Sequence, residues 1–268
     1  MAESLILIGE RINATRKSIA RALKARDSAF IAKEAAKQRE AGADYIDVNA
    51  GMSPEREAGD LAWLVKTVQA AVDAPCCIDT ANPAALEGAL AVHKGRALVN
   101  SITGEKRRLE SVLPLAVEHG ARLVALTMDD AGMPTGLARR EEIAERLAEA
   151  VTNAGLAIED LFFDPLVRPV STNPEEVAPL LDAFGRLRER FGGCHTTCGL
   201  SNISFGLPER RTLNRTFLVL AVARGLDAPI LDPTEPGVRA ALYAARALSG
   251  ADEFCMEYVT AAREGRLV

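Results

Sequence analysis

The chain has 268 residues, of which 48% are apolar, 26% charged and 4% aromatic, and its 32 Lys and Arg against 37 Asp and Glu leave a formal charge of −5. That length buries a sizeable core and suits two average domains or a single α/β barrel. A mildly acidic chain with 1 Trp, 3 Tyr and 8 Phe lacks the basic footprint and stacking platforms of a nucleic-acid binder. Short β-like runs then alternate with longer amphipathic stretches. In chain order, strands are predicted over 5–9, 45–49, 76–79, 97–101, 122–127, 161–164, 195–200 and 228–231. Helices are predicted over 28–41, 55–72, 84–92, 106–119, 139–153, 174–191, 214–224 and 236–248. Asn82-Pro83 and Asn173-Pro174 read as caps followed by a first-turn proline. Gly42, Gly95, Gly120, Gly155 and Gly225 read as helix stops.

Strands alternating with helices of this length indicate βαβ units and a parallel sheet. Eight of them point to a closed (β/α)8 TIM barrel, an α/β fold of one domain over 1–268. The first turn, Gly9-Glu10-Arg11-Ile12-Asn13, lacks the glycines of a dinucleotide-binding sheet, and no P-loop occurs. No linker splits the chain, and 251–268 is expected to add a last helix outside the barrel. The longest apolar run is Phe217 to Ala223, far short of the ~18 residues that suggest a membrane span. Met1-Ala2-Glu3-Ser4 opens with an acid, so no signal peptide is expected and the cytoplasm is the expected compartment.

The five cysteines, Cys76, Cys77, Cys194, Cys198 and Cys255, are odd in number and follow no framework spacing, which argues for free thiols in a reducing compartment. Cys194-His195-x-x-Cys198 could seed a zinc site. It overlaps a predicted strand, and the only other histidines are His93 and His119. Buried strand thiols and no metal are expected.

Barrel chemistry sits at the C-terminal ends of the strands. Those positions carry Glu10 and Asn13, Asp47 and Asn49, Asp79, Asn100 and Ser101, Met128 and Asp129, Asp164, Ser201 and Asn202, and Asp232. Asp and Asn commonly punctuate turns, and Asp129 and Asp232 are expected to do only that. Asp79 and Asp164 differ, because each directly follows apolar residues, Cys77-Ile78 and Phe162-Phe163. A carboxylate so placed is expected to be partly buried, and leaving it unpaired costs several kcal/mol. The set is rich in carboxylates and carboxamides, with no histidine or cysteine clearly among them, which disfavours a Ser–His or Cys–His nucleophile. Carboxylates accept paired N–H groups and carboxamides both donate and accept, so the set suits a flat polar heterocycle.

Seven motifs at successive positions carry a resemblance. Gly9-Glu10-Arg11-Ile12-Asn13, Asp47-Val48-Asn49-Ala50-Gly51, Ile78-Asp79-Thr80, Val99-Asn100-Ser101, Phe163-Asp164-Pro165, Gly199-Leu200-Ser201-Asn202-Ile203-Ser204 and Leu213-Asn214-Arg215-Thr216-Phe217 occur in this order. Together they resemble the methyltetrahydrofolate:corrinoid methyltransferases of the pterin-binding barrel superfamily, which includes the folate domain of cobalamin-dependent methionine synthase. The resemblance implies pterin or folate contacts from Asp79, Asn100, Asp164 and Asn202, with Arg210 near the folate by spacing. Some relatives carry Gln three residues after the matched Asn, where this chain has Phe205.

The resemblance further implies methyl transfer between N5 of tetrahydrofolate and the cobalt of a corrinoid (cobalamin) by in-line displacement, with Asn202 as the catalytic donor to N5. The corrinoid is expected on a separate partner protein, and the barrel is expected to be a homodimer. Two rivals are weighed. Dihydropteroate synthase should show Ser-Arg-Lys after the seventh strand and Arg-x-His after the eighth, where this chain has Ser201-Asn202-Ile203 and Asp232-Pro233-Thr234. A non-catalytic folate-binding or corrinoid-docking protein would bind folate without turnover.

Overall fold

The computed structural model describes residues 5–267. Met1-Ala2-Glu3-Ser4, the segment that bears on a signal peptide, lies outside them, as does Val268. Eight parallel strands close into a barrel in sequence order. They are β1 (Ile8–Asn13), β2 (Tyr45–Asn49), β3 (Cys76–Asp79), β4 (Leu98–Thr103), β5 (Arg122–Leu126), β6 (Leu161–Asp164), β7 (His195–Gly199) and β8 (Ala228–Leu231). Among the described residues ten α-helices accompany them: α1 (Lys17–Ala25), α2 (Ser28–Glu40), α3 (Pro54–Ala71), α4 (Pro83–Leu90), α5 (Lys106–Glu118), α6 (Gly136–Asn153), α7 (Val177–Arg190), α8 (Arg210–Ala223), α9 (Pro236–Leu248) and α10 (Met256–Arg263). The single (β/α)8 barrel expected from the alternation is the fold observed, and the tail supplies α10 against α9.

Local chemistry explains most boundaries. Asn82 caps α4, its side chain accepting from the Ala84 amide at 3.1 Å. Asn173 does not cap. Its amide group donates to Thr172 instead, and a single 3-10 turn, Pro174–Glu176, precedes α7. Gly225 ends α8 with φ +107°, and a Cβ there would stand 3.0 Å from the Gly185 backbone on α7. Only glycine meets both demands.

Other expectations shift as well. The first strand begins at Ile8 and not at Leu5, because the ladder starts with Ile8 opposite Tyr45 and Ile230. Leu5, Ile6 and Leu7 are apolar because they pack beneath that rung. Helix α1, absent from the expected elements, buries Ile19, Ala22 and Leu23 at helical spacing. Helix α8 starts at Arg210, four residues ahead of the expected Asn214.

Two apolar layers hold the barrel. An outer layer packs strand residues such as Ile46, Ile78, Val99 and Phe163 against the helices. An inner plug fills the barrel axis with Ile8, Tyr45, Cys77, Leu98, Val124, Phe162, Ala228 and Ile230. The plug forms the floor of the site.

Candidate active site

Side chains alternate along a strand, so the residue two positions beyond each plug residue faces the barrel axis as well. Ile8 leads to Glu10, Tyr45 to Asp47, Cys77 to Asp79, Leu98 to Asn100 and Phe162 to Asp164. These five polar residues, with Asn13, Gly199, Ser201 and Asn202, line a cavity of about 460 Å³ at the C-terminal ends of the strands. A larger hollow of about 600 Å³ opens at the opposite end beside Tyr45, Lys94, Arg96 and Arg122. There Arg122 donates to the Tyr45 hydroxyl at 2.8 Å and Arg96 to the Gly120 carbonyl at 2.8 Å. Those contacts brace the barrel's base, and barrel chemistry sits at the C-terminal ends of the strands, so the polar mouth is the better candidate.

Within the mouth, Asn49 Nδ2 donates to Asp79 Oδ2 at 3.1 Å. Asn100 Nδ2 donates to Asp47 Oδ2 across 3.4 Å. The Leu166 amide donates to Asp164 Oδ1 at 2.8 Å. Burial dominates the titration of every carboxyl here. It raises Asp79, against the lowering effect of the Asn49 hydrogen bond and the Arg108 cation. It raises Asp47 well above the ordinary range, with the Asp79 charge pushing the same way. Asp164 is pushed up to about 7, the Leu166 amide and Arg140 only partly offsetting burial. Glu10 is likewise pushed up to about 7 by burial, which outweighs Arg16. Asp47 and Asp164 are buried and Glu10 and Asp79 half-buried, and four carboxyls with so few protein donors suit a ligand that brings N–H groups.

Supporting residues fix these groups. Arg108 reaches from α5 to the carbonyls of Ser101 (2.9 Å), Ala81 (2.7 Å) and Thr80 (2.7 Å). It thereby joins the turn that follows Asp79 to strand β4 just past Asn100. Thr80 donates in turn to the buried carboxylate of Glu57 at 2.5 Å. Arg140 is fully buried. It donates to the Pro165 carbonyl at 2.7 Å and pairs with Glu176 at 2.8 Å, holding the chain just past Asp164. Leu166 sits there at φ +65°, in the left-handed region, a conformation costly for a branched side chain. It turns the Leu166 amide onto the carboxylate.

Asn202 lies on the turn Leu200–Ser204, and its Nδ2 would meet a Cβ built on Gly199 at 3.0 Å. Gly199 therefore gives the carboxamide its room over the cavity. Arg210 is not on the cavity wall. It stands behind the turn, donating to the Ser201 carbonyl at 2.7 Å and to Ser204 Oγ at 3.0 Å. Its guanidinium lies 5.9 Å from the Phe205 ring, which is 65% exposed to solvent.

Asp129 and Asp232 do structural work. Asp129 binds Arg139 at 2.7 Å as well as Arg146, and Asp232 binds Arg11 at 2.8 Å and Thr234. Cys194, His195 and Cys198 do not converge. His195 pairs with Asp227 at 2.8 Å, Cys194 Sγ points to the Leu187 carbonyl, and Cys198 packs in the outer layer. Among the described residues no three His, Cys, Asp or Glu side chains are grouped to hold a metal.

Of the five residues expected at the site, Asp79, Asn100, Asp164 and Asn202 meet on one cavity, and Arg210 braces its rim. Glu10 and Asp47 belong to the same wall. Their signal was a shared strand parity with Asp79 and Asp164.

A family model, Pterin binding enzyme, matches residues 9–232. The chain is 37% identical over 265 residues to the methylcorrinoid:tetrahydrofolate methyltransferase of Eubacterium limosum, covering 98% of each chain. It is 32% identical over 241 residues to methionine synthase of Mycobacterium tuberculosis, which is 85% of this chain and 20% of that protein. Among solved structures, dihydropteroate synthase of Xanthomonas albilineans superposes with a TM-score of 0.69 at 21% identity, covering 94% of each chain. The Yersinia pestis enzyme superposes with a TM-score of 0.71 at 18% identity, covering 92% of this chain and 94% of that one. Likenesses this distant speak to the fold alone.

Proposed function

The chain belongs to the pterin-binding enzyme family, and from that premise we propose that it is a methyltransferase acting between N5 of tetrahydrofolate and the cobalt of a corrinoid carried by a separate protein. The observation that carries this reading is the end-to-end likeness, 37% identity across 98% of both chains, to a methylcorrinoid:tetrahydrofolate methyltransferase. The cavity agrees in chemistry. Carboxylates at Asp79 and Asp164 can each accept paired N–H groups from a pterin edge, and Asn100 can donate and accept beside them. Asn202 is the donor assigned to N5. Its side chain makes no hydrogen bond within the described residues and overlooks the cavity.

A corrinoid does not fit alongside a pterin in about 460 Å³, and each of the three histidines lies away from the mouth. Docking of a partner over the mouth is therefore the reading. When present, a reduced corrinoid supplies the nucleophile for the methyl group, and a methylated one supplies the methyl group itself. This chain's share is to bind and orient the pterin, to exclude water and to stabilise N5 as its electron density rises. No resident metal is assigned a part, so exhaustive chelation should leave turnover intact. Loss restored by zinc alone would reassign Cys194 and Cys198.

The rival dihydropteroate synthase is disfavoured by Ser201-Asn202-Ile203 and Asp232-Pro233-Thr234, which do not match its pyrophosphate-binding motifs. Single-turnover methyl transfer between methyltetrahydrofolate and free cob(I)alamin tests the proposal. Tight folate binding with no transfer would leave a folate-binding protein. A homodimer is part of the proposal, supported by exposed Leu248, Phe254 and Met256 near the C-terminus and testable by sedimentation. No described helix is long and apolar enough to cross a membrane, and a cytoplasmic location is proposed on the family's chemistry.

A further inference from the structure

We propose that Glu10 is the proton carrier of the cavity, exchanging with N5 the one proton that methyl transfer moves. The inference rests on the methyltransferase reading and adds a residue to it. Glu10 stands on β1 with the inward parity of Ile8 and lines the cavity with Asp47, Asp79 and Asp164. Each of those three accepts a hydrogen bond, from Asn100, Asn49 and the Leu166 amide respectively. The Glu10 carboxyl accepts none among the described residues. Its nearest cation, Arg16 on the loop before α1, is 3.9 Å away, beyond hydrogen-bond reach.

The other groups that face it come from every neighbouring element. Asp232 follows β8, Arg210 opens α8 and Asp47 lies on β2, while the Cys198 thiol on β7 packs on the outer side of the barrel. Asp79 and Asp164 stand across the cavity. Burial and Asp232 outweigh Arg16 and Arg210, so the carboxyl titrates at about 7. A carrier needs both states near the working pH and a route to water. Glu10 has both, its side chain being 22% exposed. Asp47 is sealed at 2% exposure. Asp79 and Asp164 must stay ionised to hold pterin N–H groups.

The step balances in each direction. When methyltetrahydrofolate is the donor, the N5–CH3 bond breaks, the cobalt–carbon bond forms with the reduced corrinoid's electron pair, and N5 keeps the C–N pair. N5 then takes the proton from the Glu10 carboxyl. In the opposite direction the N5 lone pair takes the methyl group as the cobalt–carbon bond breaks, its electron pair staying on cobalt, and the N5 proton passes to the Glu10 carboxylate. The pH profiles therefore mirror each other. Transfer from methyltetrahydrofolate slows as pH rises through about 7, and transfer to tetrahydrofolate quickens.

The test pairs single-turnover rates in both directions, pH 5.5 to 8.5 on a ~0.5-unit grid, with carbon-13 NMR of apoprotein labelled at glutamate carboxyls. Wild-type protein should show one glutamate carboxyl titrating near 7 that Glu10→Gln removes. Glu10→Gln should slow transfer by about 10²-fold and flatten both profiles, with KM for the folate little changed. Glu10→Asp, followed with thermal melts, should recover the inflections and so exclude misfolding as the cause. Wild-type rate and pH profile in a folded Glu10→Gln protein would overturn the proposal and leave the methyltransferase reading intact. Folate binding without transfer in the wild type would overturn that reading, and the proposal with it.

Discussion

Asp79 and Asp164 are held in place more than they are neutralised, and on the proposed reading this is what suits them to a pterin edge. Each receives one hydrogen bond, from Asn49 Nδ2 at 3.1 Å and from the Leu166 amide at 2.8 Å, and leaves its remaining lone pairs toward the cavity. A carboxylate paired with two pterin N–H groups contributes about 2–3 kcal/mol. Asp79→Ala or Asp164→Ala should weaken tetrahydrofolate binding by that amount, a factor of about 30 to 150. Titration calorimetry on the folded variants measures it, and unchanged affinity in both places the pterin elsewhere. Asn202 is expected to behave differently. As the methyl group leaves, N5 becomes a better acceptor, so a donor there lowers the barrier more than it tightens the ground state. Asn202→Ala should cut single-turnover methyl transfer by about 10²-fold while folate affinity falls much less. If Asn202 only shapes the turn Leu200–Ser204, affinity and melting temperature should fall in proportion to the rate.

Between elements, the site depends on arginines whose partners are backbone carbonyls. Arg108, in the first turn of α5, joins two carbonyls on the turn after β3 to the Ser101 carbonyl within β4. Arg108→Met leaves those acceptors without their donor. It should cost about 2–3 kcal/mol of stability and weaken folate binding about tenfold through misplacement of Asp79 and Asn100. Arg108→Lys should restore little, since one ammonium cannot span three carbonyls. Melts and folate titrations on the three proteins separate the effects. The same contacts show why part of the site was hidden in the sequence. Strands β2, β3, β6 and β8 stand where their apolar runs predict, and Asp79 and Asp164 announce themselves by following such runs. Asp47 sits in mid-strand between Ile46 and Val48, and its depth is visible only once the register with β3 is known. Glu10 was legible as a strand-end residue, but the strand expected over 5–9 placed it just past β1, whereas the ladder runs on through it to Asn13. Arg108 and Arg140 read in sequence as ordinary helix-surface cations, because a carbonyl partner leaves no mark in the residue pattern.

Across the whole molecule, the cavity carboxyls act against the stability of the unliganded protein above pH 4. A carboxyl whose pKa rises on folding binds more protons in the native state between its unfolded and folded values, so stability falls as pH rises through that interval. Asp164 rises from an ordinary 3.8 to about 7. Its contribution is therefore intact below about pH 4, is lost progressively between about 4 and 7, and stays lost above. Other acids work the opposite way. Asp129 between Arg139 and Arg146, and Glu176 beside Arg140, are held below the ordinary carboxylate range. They stabilise above that range and fail only in stronger acid. Over pH 5 to 8.5 they stay ionised, and the Asp164 effect can be isolated. Asp164→Asn keeps an oxygen for the Leu166 amide and removes the titration. The apoprotein should then be more stable than wild type by about 2–4 kcal/mol at pH 8. That corresponds to about 5–15 °C in Tm for a domain of this size. The advantage should shrink steadily toward pH 5 as the wild-type carboxyl takes up its proton. Saturating tetrahydrofolate should narrow it too at pH 8, because pterin N–H groups satisfy the carboxylate and stabilise only the wild type strongly. Melts across this pH range, with and without tetrahydrofolate, read both effects. A pH-independent difference between the two proteins would show that Asp164 does not titrate in this window.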